Sequence, residues 1–293
     1  DGIAVMDPQC PDWFPNETFK NSMIDVRGDV PMDHDLMSVP HGKVDYVNYH
    51  SETLGVFGNA IVYTPPTYDK EPSRRYPVFY LISGTTDTEE VYFKVGRMNL
   101  ILDNLIAQGK AEPMIVVMTN GNAGESAAPG QCPDGFERIP GFQQRGMMEG
   151  SFEMHFPDVV KYIESNYRVF KDKKHRAIAG LSMGGFHSMH ISKYYPDMFD
   201  YVGLFSAAAR FHESSDCPVY INEKAQIDAQ FAKKPALYWI AIGNTDFLYQ
   251  ENVKFRNYLD EKGYRYEYVE SEGGHIWKNW RIYLTEFVPR LFK

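Results

Sequence analysis

The sequence predicts an α/β architecture: a mostly parallel central sheet, an antiparallel edge at its N-terminal side, and helices on both faces. Three observations predict it. Short apolar runs typical of strands buried on both faces recur along the chain, at 77–82, 114–118, 176–181, 201–205 and 237–242. Stretches with apolar residues at helical spacing separate most of them, and such strand–helix alternation builds a parallel sheet covered by helices. The two strand-like stretches that come first, 43–50 and 56–63, are divided only by residues 51–55, which points to an antiparallel pair.

In chain order, the first forty or so residues are rich in Pro, Asp and Asn (Asp7-Pro8, Pro11-Asp12, Phe14-Pro15-Asn16) and show no sustained period. They are expected to form an irregular arm, 1–42, with function lying further on. The antiparallel pair stops at Pro65-Pro66. Pro77-Val78-Phe79-Tyr80-Leu81-Ile82 follows as a buried strand that ends at Ser83-Gly84. Leu100, Ile101, Leu105 and Ile106 recur at helical spacing up to Gly109, and the strand at 114–118 is closed by Asn120-Gly121. After a Gly- and Pro-rich loop over 122–150, Phe156, Val159, Val160 and Ile163 mark a helix before the strand at 176–181. The remaining expectations are a helix at 183–194, strands at 201–205 and 237–242, a helix at 251–262, a strand at 265–269 and a final helix at 277–291. Residues 43–293 are thus read as one catalytic unit, with ligand chemistry at the carboxyl ends of its strands.

Composition narrows the function classes. Hydrophobic residues at 43% and charged residues at 24% are ordinary for a folded domain. A formal charge of -9, from 30 Lys+Arg against 39 Asp+Glu, disfavours a nucleic-acid backbone or an anionic membrane as the main partner. No apolar run approaches the roughly 18 residues that span a bilayer, so no membrane insertion is expected. Cys10, Cys132 and Cys217 lack CxxC or Cys/His spacing, which argues against a zinc or redox site and leaves open one disulfide with one thiol over. No metal or organic cofactor is expected. A chain that starts at Asp1 reads as a processed export product or a domain cut from something larger, so a secreted or periplasmic bacterial location is expected, with the signal peptide absent from this chain.

Gly180-Leu181-Ser182-Met183-Gly184 matches G-x-S-x-G between an expected strand and an expected helix. Flanking glycines fit a sharp strand-to-helix turn that exposes the serine near the positive end of a helix. A serine hydroxyl at neutral pH needs a base, and the base needs a group that holds its tautomer. Of the nine histidines, only His275 sits in a Gly-rich turn, Gly273-Gly274-His275, after a strand and before the last helix. Asp246 follows the strand at 237–242 in Gly243-Asn244-Thr245-Asp246 and supplies the acid, so that the chain order is Ser, Asp, His. Its rivals Glu251 and Asp260 fall on or near the next helix, where an acidic side chain is more often solvated. Oxyanion donors are expected from the backbone N–H of Met183 and from the loop after Ser83-Gly84, at Thr85.

Taken together, 76–84, 114–121, Tyr167-Arg168-Val169, 179–185, 243–248 and 273–280 resemble the esterase D-like α/β-hydrolases, and within them carbohydrate esterase family one, the bacterial feruloyl and acetylxylan esterases. The most specific parts are Gly180-Leu181-Ser182-Met183-Gly184-Gly185 and Gly273-Gly274-His275-Ile276-Trp277-Lys278-Asn279-Trp280-Arg281. The resemblance implies the α/β-hydrolase fold, a triad on Ser182, Asp246 and His275, and oxyanion amides at Thr85 and Met183. It departs at Ser83-Gly84, where relatives usually show His-Gly. It further implies cleavage of feruloyl or related hydroxycinnamoyl esters from plant cell-wall arabinoxylan through an acyl-enzyme, with feruloylated or acetylated xylan as partner and a carbohydrate-binding module outside this chain left open. Acetylxylan esterase, siderophore esterase and a non-catalytic carbohydrate-binding relative remain as alternatives, and the group also holds mycolyltransferases. Phe136, Phe142, Gln143 and Trp277 are the candidates for flanking the acyl or sugar site.

Overall fold

The fold is organised around one eight-stranded sheet in a computed structural model that describes residues 5–16, 21–26, 28–119, 149–212 and 216–293. Its strands are β1 (Lys43–Ser51), β2 (Val56–Thr64), β3 (Val78–Ile82), β4 (Ile115–Thr119), β5 (Arg176–Leu181), β6 (Tyr201–Phe205), β7 (Leu237–Gly243) and β8 (Glu267–Ser271). They lie in the order β1-β2-β4-β3-β5-β6-β7-β8. β1 and β2 pair antiparallel and β2 joins β4 antiparallel, whereas every pair from β4 to β8 is parallel. The helices are α1 (Val91–Lys94), α2 (Met98–Ala107), α3 (Ser151–Asn166), α4 (Met183–Tyr194), α5 (Glu223–Ala232), α6 (Tyr249–Glu261) and α7 (Trp277–Phe287).

The two-residue period of a strand divides the core. Phe79 and Leu81 of β3 and Ala177 and Ala179 of β5 face the side covered by α1, α2 and α7, where Ile101, Leu105, Tyr283 and Phe287 pack. Val78, Tyr80 and Ile82, with Ile178, face the opposite layer, where Phe156 of α3, Ile227 of α5 and Phe255 of α6 pack. Because both faces are covered, the central strands read as continuous apolar runs rather than as alternation.

Several elements differ from the sequence expectation, among them β8, α5 and the last helix. β8 begins at Glu267 rather than 265, because this edge strand is only partly buried and no apolar run marks its limits. α5 was not anticipated: Ile227 and Phe231 are its only large apolar side chains, too few for a visible period. The last helix stops at Phe287 and continues as a single 3₁₀ turn, Val288–Arg290, since Pro289 has no N–H for the next helical bond.

The arm contains turns and isolated bridges in its described part, yet it is fastened down. Asn104 Nδ2 of α2 donates to the carbonyls of Asp33 and Asp35 at 2.8 and 2.9 Å. Arg97 pairs with Asp25 at 2.9 Å, and the Lys94 ammonium sits 3.6 Å from the Trp13 ring centroid. These ties lay the arm against α1 and α2 and carry Phe14 and Asn16 to the mouth of the site described next.

Candidate active site

Ser182 occupies the junction of β5 and α4 at φ 55°, ψ -116°, a conformation that side-chain-bearing residues avoid. The neighbouring glycines make the turn sterically feasible. A Cβ on Gly180 would lie 2.3 Å from the Gly184 carbonyl carbon, and one on Gly184 would lie 2.1 Å from the Ile82 oxygen. Main-chain bonds hold the strained residue: its N–H donates to Phe205 O at 2.9 Å, and its carbonyl accepts from Ala208 N at 3.0 Å and Phe186 N at 3.1 Å. The strained backbone at Ser182 is therefore held by β6 and α4.

Asp246 lies in the turn between β7 and α6, and His275 in the turn between β8 and α7. The His275 ring meets the carboxylate through Nδ1, at 2.9 Å to Oδ2 and 3.1 Å to Oδ1. Burial alone would push the Asp246 carboxyl up, but the His275 ring and the Leu248 N–H, 2.9 Å from Oδ1, hold it below the ordinary carboxylate value. The Ser206 hydroxyl lies near the same carboxylate and acts in the same direction. An ionised Asp246 fixes the proton of His275 on Nδ1 and leaves Nε2 to accept. The two turns approach closely because Gly243 has no side chain: a Cβ there would lie 2.2 Å from Gly273 O. Phe247 and Trp280 flank the imidazole, with ring centroids 4.5 and 4.9 Å away.

The third component is the loop after β3. Thr85 Oγ1 lies 3.4 Å from Met183 Sδ, so the two positions expected to supply oxyanion amides are neighbours. Ser83 is buried, and its hydroxyl lies within reach of two carbonyls, Asp87 O at 3.2 Å and Thr119 O at 3.3 Å. It braces the loop from the sheet side. Burial pushes the Asp87 carboxyl up to about 7, against an opposing hydrogen bond from Asn16.

These parts surround one cavity of about 560 Å³, lined by Ser182, His275, Gly84, Thr85, Thr86, Asp87, Leu181, Phe247, Ile276, Trp277 and Trp280, with Phe14 and Asn16 from the arm. Trp277 both lines it and packs edge-on against Tyr92, ring centroids 5.5 Å apart. Phe136, Phe142 and Gln143, with Cys132, lie outside the described residues. Sequence reasoning placed function beyond the arm, whereas Phe14 and Asn16 line the cavity; nothing local in 14–16 signals a contact seventy residues away. It also missed Phe247, 73% exposed beside His275, although a bare aromatic directly after a candidate acid is a usable signal. A larger open cavity of about 940 Å³, lined by Phe211, Tyr220, Glu223 and Tyr258 among others, shares no residue with this one. Among the described residues, no group of three or more His, Cys, Asp or Glu could hold a metal, and no helix is long and apolar enough to cross a membrane.

The Esterase family model matches residues 51–291. An endo-1,4-beta-xylanase/feruloyl esterase of Xylanibacter ruminicola is 30% identical over 100% of this chain, which spans 37% of that relative's length. A solved ferulic acid esterase is 26% identical and superposes with a TM-score of 0.67 over 86% of this chain and 98% of its own. A CE1 ferulic acid esterase from the anaerobic fungus Anaeromyces mucronatus, 20% identical, shares the fold with a TM-score of 0.72 over 90% of this chain and 96% of its own. The chain belongs to the esterase family and has the α/β-hydrolase fold.

Proposed function

We propose that this protein is a serine esterase that releases feruloyl or related hydroxycinnamoyl groups from plant cell-wall arabinoxylan through an acyl-enzyme on Ser182. The observation that carries the reading is the His275 ring, bonded through Nδ1 to the buried Asp246 carboxylate and facing the same cavity as the strained Ser182. His275 Nε2 takes the Ser182 proton as Oγ attacks the ester carbonyl, and Asp246 stabilises the imidazolium that forms. The Met183 and Thr85 amides receive the oxyanion, each donor contributing about 3 kcal/mol when such donors are removed elsewhere. Collapse breaks the bond to the sugar oxygen, which leaves with the imidazolium proton. Water, deprotonated by His275, then releases the acid and restores the serine.

A hydroxycinnamate is favoured over a small acyl group by the apolar wall of the cavity. Phe14, Phe247, Ile276 and Trp277 offer a planar aromatic acid far more contact than acetate could use. The names of the relatives, a xylanase/feruloyl esterase and ferulic acid esterases, support the same substrate class. The test is Ser182→Ala, assayed on methyl ferulate, an aryl acetate and acetylated xylan. Activity is expected to fall on all three by about 10⁴-fold or more with the fold retained. Turnover at the native rate would refute the nucleophile, and native preference for acetylated xylan would refute the acyl group.

A further inference from the structure

Thr86 stands at φ 64°, left-handed backbone that a β-branched residue adopts only when its surroundings impose it. Thr86 follows Thr85, the position whose amide is read as an oxyanion donor. The arm contacts the loop at this point. Asn16 is 4% exposed, and its Nδ2 uses both protons on this loop, donating to Thr86 Oγ1 at 2.8 Å and to Asp87 Oδ1 at 3.0 Å. The main chains also meet, as an isolated antiparallel bridge between Asn16 and Asp87 and a bond from Thr88 N to Pro15 O. Ser83 braces the same loop from the sheet side, so 83–87 is held between β4 and the arm.

We propose that Asn16 is a positioning residue: it clamps the loop after β3 so that the Thr85 amide points at the oxyanion, and thereby makes the N-terminal arm part of the catalytic apparatus. An amide donor aimed at a developing charge loses most of its effect when displaced by an ångström, so the clamp acts on the transition state more than on ground-state binding. This rests on the reading of Ser182 as nucleophile and Thr85 as donor. It differs from direct substrate contact by Asn16, which the cavity lining would also permit.

A double-mutant cycle between Asn16→Ala and Thr86→Gly, assayed on 4-nitrophenyl acetate, separates these readings. Asn16→Ala is expected to lower kcat by about 10–100-fold, with KM within about threefold of native and the melting temperature little changed. Glycine adopts the left-handed conformation without strain, so in the Thr86→Gly background the same change is expected to lower kcat by no more than about threefold. Should the alanine variant not fold, Asn16→Ser, which keeps one donor, replaces it in the same cycle, with a smaller loss that again shrinks in the Thr86→Gly background. A native kcat for the single variant, an equal loss in both backgrounds, or a loss confined to KM overturns the clamp. Ser182→Ala is measured alongside: if inactive, a failed cycle overturns the clamp alone, whereas an active Ser182→Ala overturns the reading of the site beneath it.

Discussion

Asp246 and Asp260 are chemically identical side chains in different surroundings. Asp246 is buried against His275, whereas Asp260 on α6 accepts a bond from the Tyr266 hydroxyl at the surface. Asp246→Asn keeps the shape but lets the imidazole adopt the wrong tautomer, so kcat is expected to fall by about 10³–10⁴-fold. Asp260→Asn is expected to leave it within about twofold. Steady-state rates on methyl ferulate check the ranking, and its reversal would move the acid elsewhere. Phe247 tests specificity at the same scale. Phe247→Ala removes an aromatic face beside His275, so kcat/KM on methyl ferulate should drop by about tenfold while an aryl acetate loses no more than about twofold. Equal losses on both would remove Phe247 from the acyl site.

At the scale of elements, turns carried most of the information. The glycines at 180 and 184 were legible in the sequence because they flank Ser182, whereas the need for Gly243 was not; each of the three is required by a backbone approach below 2.5 Å. Gly243→Ala is therefore expected to push the Asp246 and His275 turns apart, destabilising by about 1–3 kcal/mol and lowering kcat, as melting curves and rates will show. α4 makes a different prediction. It buries His190 between Phe186 and Tyr220, and burial, with Lys193 and His187 nearby, holds the imidazole well below its ordinary value. Below about pH 6.5 the unfolded chain binds a proton there that the folded chain refuses, so stability is full above that pH and falls as pH drops, with a slope of about 1.4 kcal/mol per pH unit. Unfolding midpoints of wild type and His190→Gln across pH 5–8 should diverge on the acidic side; parallel curves would exclude His190 as the source. The bonds from Asn16 to Thr86 and Asp87 were illegible, because an irregular arm has no period to read and the contact spans seventy positions. α5 stayed hidden for the related reason that two apolar residues do not make a pattern.

Across the whole molecule, the sheet order brings the carboxyl ends of β3, β5, β7 and β8 together, so Thr85, Ser182, Phe247 and His275, far apart in sequence, face one cavity. Buried apolar runs and the alternation of strand and helix sufficed to anticipate that sheet, since strands covered on both faces leave a continuous hydrophobic signature. The cavity is a different matter: its lining draws on the arm and on exposed aromatics that no core pattern records. The proposed catalysis depends on one covalent step at one atom, Ser182 Oγ. Treatment of the active protein with a serine-directed phosphonate, followed by peptide mass spectrometry, measures that step directly. A single adduct on Ser182, formed in parallel with loss of methyl ferulate hydrolysis and absent from Asp246→Asn over the same interval, is the predicted result; an adduct on another residue, or full inhibition with Ser182 unmodified, would contradict it.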